Sequence, residues 1–285
     1  MIVSYILMAR NLCPFKPHEQ PIRSMPFSRT IIALESRLSA CRNVRTLGVR
    51  PRFSDYSDRQ RQDILDAAIV YYPSAWYAEL FDTMGKATFP SHHTYRFAQD
   101  KIRQTALFEL LDIPHPRTRV FYGPIQHRTI LEFFDFPFVM KQPRGSSRGA
   151  GVQLIRNRQA LEAWLKHHRV AYVQEFIPMH RDLRVVVIAG QIVHAYWRVA
   201  AAGDFRTNVA CGGTVRFDPV PQQALDLART TAIRCRFDDV GIDICRSGDD
   251  YLVLEANVKY GTEGFAQANI DYVRLMEEMI EDGRI

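Results

Sequence analysis

Residues 136–152 read Phe-Pro-Phe-Val-Met-Lys-Gln-Pro-Arg-Gly-Ser-Ser-Arg-Gly-Ala-Gly-Val, and few folds accommodate such a run. The apolar stretch is too short and too closely bounded by proline for a helix, so it reads as a buried strand ending in Lys141. The loop that follows holds three glycines, Gly145, Gly149 and Gly151, and two serines, Ser146 and Ser147. Glycine reaches backbone conformations closed to other residues, so successive amides and hydroxyls there can converge on phosphate oxygens. It is not a Walker A loop, because no Gly-Lys-Ser/Thr opens a helix after it, and it does not match Gly-x-Gly-x-x-Gly. Taken alone, a plain hairpin loop explains it as well as a phosphate cradle does.

Around this run the chain alternates strands and helices. Residues 2–8 and 67–72 read as strands and 28–41 as a helix with Ile31, Ile32, Leu34, Leu38 and Cys41 near one side, which together make a small α/β unit punctuated by Pro90 and Ser91. Residues 94–111 predict an amphipathic helix that carries Lys101 and is stopped by Pro114, and the adjacent His92 and His93 are expected to cap it rather than bind metal. Trp76, Tyr77 and Phe81, at helical spacing, are expected in the core. Strands at 119–122, 136–141 and 152–155 with a helix at 158–168 form a second unit. A third starts at strand 171–177 and continues through 184–189 and 192–198, where the Gly190 turn predicts an antiparallel hairpin. A helix at 221–234 precedes strands 240–245 and 251–255 around Ser247-Gly248-Asp249-Asp250, and a helix at 271–281 closes the chain. There is no internal repeat and no long linker, so the expected division is residues 1–90, 91–170 and 171–285.

With 285 residues, 47% of them apolar and 24% charged, the chain has an ordinary globular composition. The net charge of +6 favours anionic partners. Its densest basic cluster, Arg42, Arg45, Arg50 and Arg52, lacks the interleaved aromatics of a single-strand-binding groove, so nucleic acid is not expected and a solvated face is. Five scattered cysteines without a Cys-x-x-Cys pair argue against a disulfide framework or a zinc site. The apolar run at 2–8 is too short for a signal core or a membrane span, which makes a cytoplasmic location the expectation.

The acidic residues gather late. Asp243 in Gly-Ile-Asp-Ile, and Glu255 and Asn257 in Leu-Glu-Ala-Asn, sit on two strands joined by a tight turn. Residues two apart on a strand share a face, and a hairpin brings Asp243 beside them. Few hard oxygen donors suit magnesium shared with phosphate oxygens. An exposed carboxylate pair at a turn is the simpler alternative, but the flanking isoleucines and leucines make idle acids costly. Between the two clusters lie Gln174, Glu175, Phe176 and Ile177, then Asp182-Leu-Arg184, then Arg198, and finally Arg206 and Asn208 beside Gly212-Gly213. Arginine forks suit carboxylate and phosphoryl oxygens.

The order of these motifs resembles the ATP-grasp superfamily, and within it the RimK-like carboxylate-amine ligases, from about Thr94 to the C-terminus. The resemblance implies a three-lobed α+β fold, with ATP between two α+β lobes and a small α/β lobe at the N-terminus. It makes Lys101 and Lys141 the ATP-phosphate lysines, Gly145, Ser146, Ser147, Gly149 and Gly151 the lid, Gln174 to Ile177 the adenine hinge, and Asp182 a neighbour of the ribose. It also makes Asp243, Glu255 and Asn257 ligands of one or two magnesium ions, with manganese an alternative. Arg206 and Asn208 become contacts to the γ-phosphate or acyl phosphate, with Arg198 and Arg184 as weaker assignments. The implied reaction joins a small-molecule or peptide carboxylate to an amine, the added group being glutamate or another amino acid; a homo-oligomer is compatible. A non-catalytic nucleotide-binding protein of the same shape, or a phosphotransferase that stops before ligation, are the alternatives. Where many relatives continue Asn-x-Ser/Pro-x-Gly, this chain has Asn257-Val-Lys259-Tyr260-Gly261, which leaves the substrate open.

Overall fold

The computed structural model describes residues 30–145, 151–207 and 211–285. The strand expected at 2–8 lies outside them, as do Ser146, Ser147, Gly149 and Asn208. The described residues form three sheets, each with helices against it.

The first is a parallel sheet of β1 (Ile31–Ala33), β2 (Val44–Thr46), β3 (Ile69–Tyr71) and β4 (Ala87–Phe89), with α1 (Asp58–Asp66) and α2 (Ala75–Thr83) as connections and strand order β2-β1-β3-β4. The helix expected over 28–41 is absent from its described part: β1 and one 3-10 turn (Ser36–Leu38) stand there. Residues 31–34 are consecutively apolar, and a central parallel strand buries both faces, so the run satisfied a helical count without being one. On α2 only one face is covered; Tyr77 and Phe81 are in the core as expected, whereas Trp76 is 61% exposed.

The single helix expected over 94–111 is two, α3 (His92–Ala98) and α4 (Lys101–Leu110). Asp100 breaks it: its side chain accepts from the Ile102 and Arg103 amides and starts α4 anew. The cap of α3 is Ser91, which accepts from Thr94 N–H; His92 and His93 are its first helical residues, and His93 Nε2 lies 2.7 Å from the Cys235 carbonyl.

The second sheet holds β5 (Thr118–Tyr122), β6 (Phe138–Lys141), β7 (Val152–Ile155) and β8 (Val170–Glu175) in the order β5-β8-β6-β7, all antiparallel. The strand expected to open the third unit therefore pairs inside the second sheet. Phe138 and Met140 turn to a core with Ile130, Phe134, Leu161 and Trp164, supplied by α6 (Ile130–Phe133) with the residue after it and by α7 (Arg158–Leu165), while α5 (Gly123–His127) adds nothing to it. By strand alternation Val139 and Lys141, with their partners Gln174 and Tyr172, take the opposite face.

The third sheet is antiparallel, in the order β11-β10-β9-β12-β13: β9 (Arg181–Ile188), β10 (Gln191–Val199), β11 (Thr214–Arg216), β12 (Asp239–Ser247) and β13 (Asp250–Asn257). The Ala189-Gly190 turn has positive φ at both residues, 48° and 73°, as a two-residue hairpin of this hand requires. Leu183, Val185, Val187, Ile242 and Ile244 pack on Ala224, Ala228 and Ala232 of α8 (Gln222–Arg234). The alternate residues of β9 divide by position: Val186 and Ile188 sit under Phe265 of α9 (Glu263–Gln267) and Met276 and Met279 of α10 (Tyr272–Glu281), while Asp182 and Arg184 are left to the charged end of that face.

Gly264 permits the α9 contact, because a Cβ there would lie 2.3 Å from Cε1 of Tyr196. Gly264→Ala is expected to destabilise the protein by about 1–3 kcal/mol through overpacking; urea unfolding with an unchanged midpoint would contradict it.

Candidate functional site

The face of the second sheet opposite its helical core, and the end of the third sheet's face that α9 and α10 leave uncovered, carry the charged residues, and α4 touches both. From α4, Thr105 Oγ1 meets Tyr172 Oη at 2.7 Å on the second sheet, and Lys101 Nζ donates to Glu255 Oε1 at 2.8 Å on the third. Lys141, Lys101, Glu255 and Asp243 are electrostatic neighbours. Two residues about 40 apart and a pair more than 100 further on thus meet at one place.

Register explains the acidic half. Asp243 pairs with Glu255 across β12 and β13 and with Arg184 across β12 and β9; Arg184 in turn pairs with Tyr196, and Asp182 with Arg198, across β9 and β10. Arg184 binds both oxygens of Asp243 through Nε and Nη2, the latter at 3.0 Å. Arg198 Nη2 bridges Asp182 and Asp243, 2.9 Å from the latter, while its Nε donates to Asp182 at 2.9 Å. Burial alone would raise the Asp243 carboxyl, but Arg184 and Arg198 hold it below the ordinary carboxylate range. Burial opposes the Arg198 charge too, and Asp182 with Asp243 more than restores it, leaving its pKa raised. Gly241 makes room for the pair: a Cβ there would sit 2.8 Å from Tyr260 Cβ and 3.1 Å from Arg184 Cδ.

Lys141 is differently placed. It is 8% exposed and makes no ion pair among the described residues. Burial pulls its pKa below 10.5, Glu255 pushes it back up, and Lys101 depresses it further. Counting Lys101, Lys141, Arg184 and Arg198 against Asp182, Asp243 and Glu255, four cations face three carboxylates. A buried cation with positive charge to spare is costly unless an anion arrives, so the cluster suits polyphosphate. For a divalent cation, Glu255 commits only Oε1 to Lys101, and Asn257 reaches Asp243 through Nδ2 at 3.4 Å, keeping its oxygen for another partner. The donor set of two carboxylates and an amide oxygen fits a hard cation. Among the described residues no group of three or more His, Cys, Asp or Glu side chains could hold a metal ion, so any such ion shares its shell with other ligands.

The glycine loop leaves the second sheet at a closed neck, where Gln142 N–H donates to the Gly151 carbonyl at 2.7 Å, and Gly145 and Gly151 have positive φ. Asp100, which the sequence reading passed over, ties that loop to α4: Arg144 Nε donates to it at 2.7 Å, and Lys101 N–H donates to the Pro143 carbonyl at 3.1 Å. An aspartate directly before a helical lysine is a cap signal, and it was readable.

Other expected site residues are spread out. The Gln174 side chain donates to Thr118 Oγ1 at 3.0 Å, and Glu175 accepts from Arg117 N–H at 2.6 Å. Phe176 lines an open pocket of ≈ 470 Å³ with Arg156, Met179, His180, Gly203 and Phe205. Ile177 follows it, half-buried. Asp182, expected near a ribose, has its carboxylate against Arg198. Arg206 is forked onto Asp204, with Nη2 at 2.8 Å, and is half-exposed. Lys259 donates to Glu35 at 2.9 Å, just past the end of β1. Of the arginine cluster, Arg45 pairs with Asp63 at 2.6 Å and Arg42 with Glu277 at 3.6 Å. No described helix is long and apolar enough to cross a membrane.

Comparison with known proteins places this geometry. The model of the RimK-like ATP-grasp domain matches residues 98–280. The ribosomal protein bS6–L-glutamate ligase of Salmonella paratyphi B is 29% identical over 225 residues, covering 76% of this chain and 74% of the ligase. Among solved structures, the ATP complex of D-alanine–D-alanine ligase from Bacillus anthracis superposes with a TM-score of 0.70 at 12% identity, over 89% of this chain and 97% of that one. The ATP-grasp ligase PsnB, solved with a phosphomimetic variant of its minimal precursor, Mg and ADP, gives 0.66 at 17% identity, over 90% and 99%.

The depressed Lys141 pKa has a signed consequence. Between that lowered folded value and 10.5 the unfolded chain binds more protons, so folding stability rises with pH across this window. Lys141→Met is expected to flatten that rise and to leave the nucleotide-free protein at least as heat-stable as wild type at neutral pH. A lower Tm with an unchanged alkaline slope would contradict it.

Proposed function

The chain belongs to the RimK-like ATP-grasp family and is an ATP-dependent carboxylate–amine ligase; from that premise we propose that it binds Mg·ATP between the second and third sheets and joins glutamate or another amino acid to an amine or peptide. The observation that carries the site is Lys141, a buried cation without an ion pair among the described residues, set beside Lys101 and Glu255. The lobes would follow the division at 1–90, 91–170 and 171–285, except that the rest of β8, which pairs with β5 and β6, goes with the second. Support for the acceptor class comes from the relatives, one acting on a ribosomal protein with L-glutamate and one solved with a precursor.

In the proposed reaction a substrate carboxylate oxygen attacks the γ-phosphorus and ADP leaves. The amine then attacks the acyl-phosphate carbonyl and phosphate departs, so one amide forms for each ATP consumed. Little covalent chemistry falls to the protein, and its part is positioning and charge neutralisation. Lys101 and Lys141 take phosphate oxygens. Glu255, Asn257 and Asp243 would hold magnesium, which when bound neutralises phosphate charge and aligns the phosphates. Arg184 and Arg198, already committed to carboxylates, fix Asp243. Arg206 is half-exposed next to a loop, which leaves it able to exchange Asp204 for a phosphoryl oxygen. Gly145, Ser146, Ser147, Gly149 and Gly151 would close over the phosphates, Asn208 would assist Arg206, and Gln174, Glu175, Phe176 and Ile177 would supply the adenine edge through their backbone, since the first two side chains are engaged with β5 and its approach.

Glu255→Gln keeps the shape and removes the charge. It is expected to lower ATP turnover by about 100-fold or more while leaving Tm within a few degrees of wild type. The assay is phosphate release over paired carboxylates and amines, glutamate first; undiminished turnover would sink the metal assignment.

A further inference from the structure

Among the described residues β13 is an outer strand of its sheet, so the outward backbone groups of its residues have no neighbouring strand there. At Ala256, between Glu255 and Asn257, a side chain takes that place. Gln104 Oε1 accepts from Ala256 N–H at 2.9 Å, and Gln104 Nε2 donates to the Ala256 carbonyl at 2.8 Å and to the Phe97 carbonyl at 3.3 Å. The first two bonds reproduce the exchange an antiparallel neighbour makes at a hydrogen-bonded pair. Gln104 is 4% exposed and lies one turn beyond Lys101, so both project from one side of α4. The same helix holds the start of the glycine loop through Asp100 to Arg144 and Lys101 N–H to Pro143.

We propose that Gln104 is a positioning residue for the reaction: by clamping the Ala256 peptide it fixes the spacing and facing of Glu255 and Asn257, and α4 thereby holds the metal-binding strand and the start of the glycine loop in register. This rests on the reading of Glu255 and Asn257 as metal ligands. A buried glutamine that only satisfies a sheet edge would contribute to stability and nothing else, and the two roles separate in metal binding.

The test is titration of Mn²⁺ into the full chain in the presence of ADP, followed by electron paramagnetic resonance, with ADP affinity measured separately in EDTA. Gln104→Leu leaves both Ala256 groups unpaired and is expected to weaken Mn²⁺ binding about tenfold, the order found for outer-shell partners of metal ligands, with ADP affinity in EDTA unchanged. Gln104→Glu retains the acceptor for Ala256 N–H but loses the donor, and should fall between. Glu109→Ala, on the exposed side of α4, should match wild type. A lowered Tm with wild-type Mn²⁺ affinity in both Gln104 variants would overturn the proposal; if the leucine variant does not fold, the glutamate variant decides by the same criterion. Wild-type protein that binds no Mn²⁺ alongside ADP would instead overturn the metal-ligand reading itself.

Discussion

Asp243 is gripped by Arg184 from β9 and by Arg198 from β10, and the rest of the charged cluster is arranged around that grip. Buried ion pairs of this kind add little net stability, because desolvation offsets most of the attraction. Their value lies in geometry. With the Arg184 fork and the Arg198 Nη2 on it, the Asp243 carboxylate stays ionised and fixed opposite Glu255, and Asp182 keeps Arg198 from turning away. Removing one partner would leave a buried charge uncompensated, which costs several times what the pair contributes.

The same sheet shows why a charged row can sit inside an apolar fold. On β9 Leu183, Val185 and Val187 face α8, so the strand is anchored whatever its other face carries. That other face is divided, with Val186 and Ile188 under α9 and α10 and Asp182 and Arg184 in the charged cluster. The second sheet has its apolar face on α6 and α7 and its Lys141 face turned away from them. The polar face of the second sheet and the charged end of the third are both met by α4.

Much of this was legible in the sequence where local rules decide. The hairpin at Gly190 and the turn at Gly248 set strand order directly, and the spacing of Glu255 and Asn257 put both on one face with Asp243 opposite. Where partners are remote, the rules gave out. Residues 31–34 are uniformly apolar because a parallel strand is covered twice, a pattern a helix shares. Asp182 meets Arg198 only through the β9–β10 register, and Trp76 faces outward because no described residue packs over that side of α2. Strand 170–175 joined the second sheet by pairing with β5, 48 or more residues back in the chain, a choice invisible to periodicity.

The central claim is that Lys101, Lys141 and the Asp243, Glu255 and Asn257 group form a two-sided clamp that recognises a nucleotide together with its metal. Calorimetric titration of ATP into the wild-type chain, once in excess magnesium and once in EDTA, addresses it most directly. The account expects one ATP per chain in magnesium and an affinity at least about tenfold weaker in EDTA, because half of the clamp acts through the ion. Equal affinity in both, or no binding in either, would contradict it.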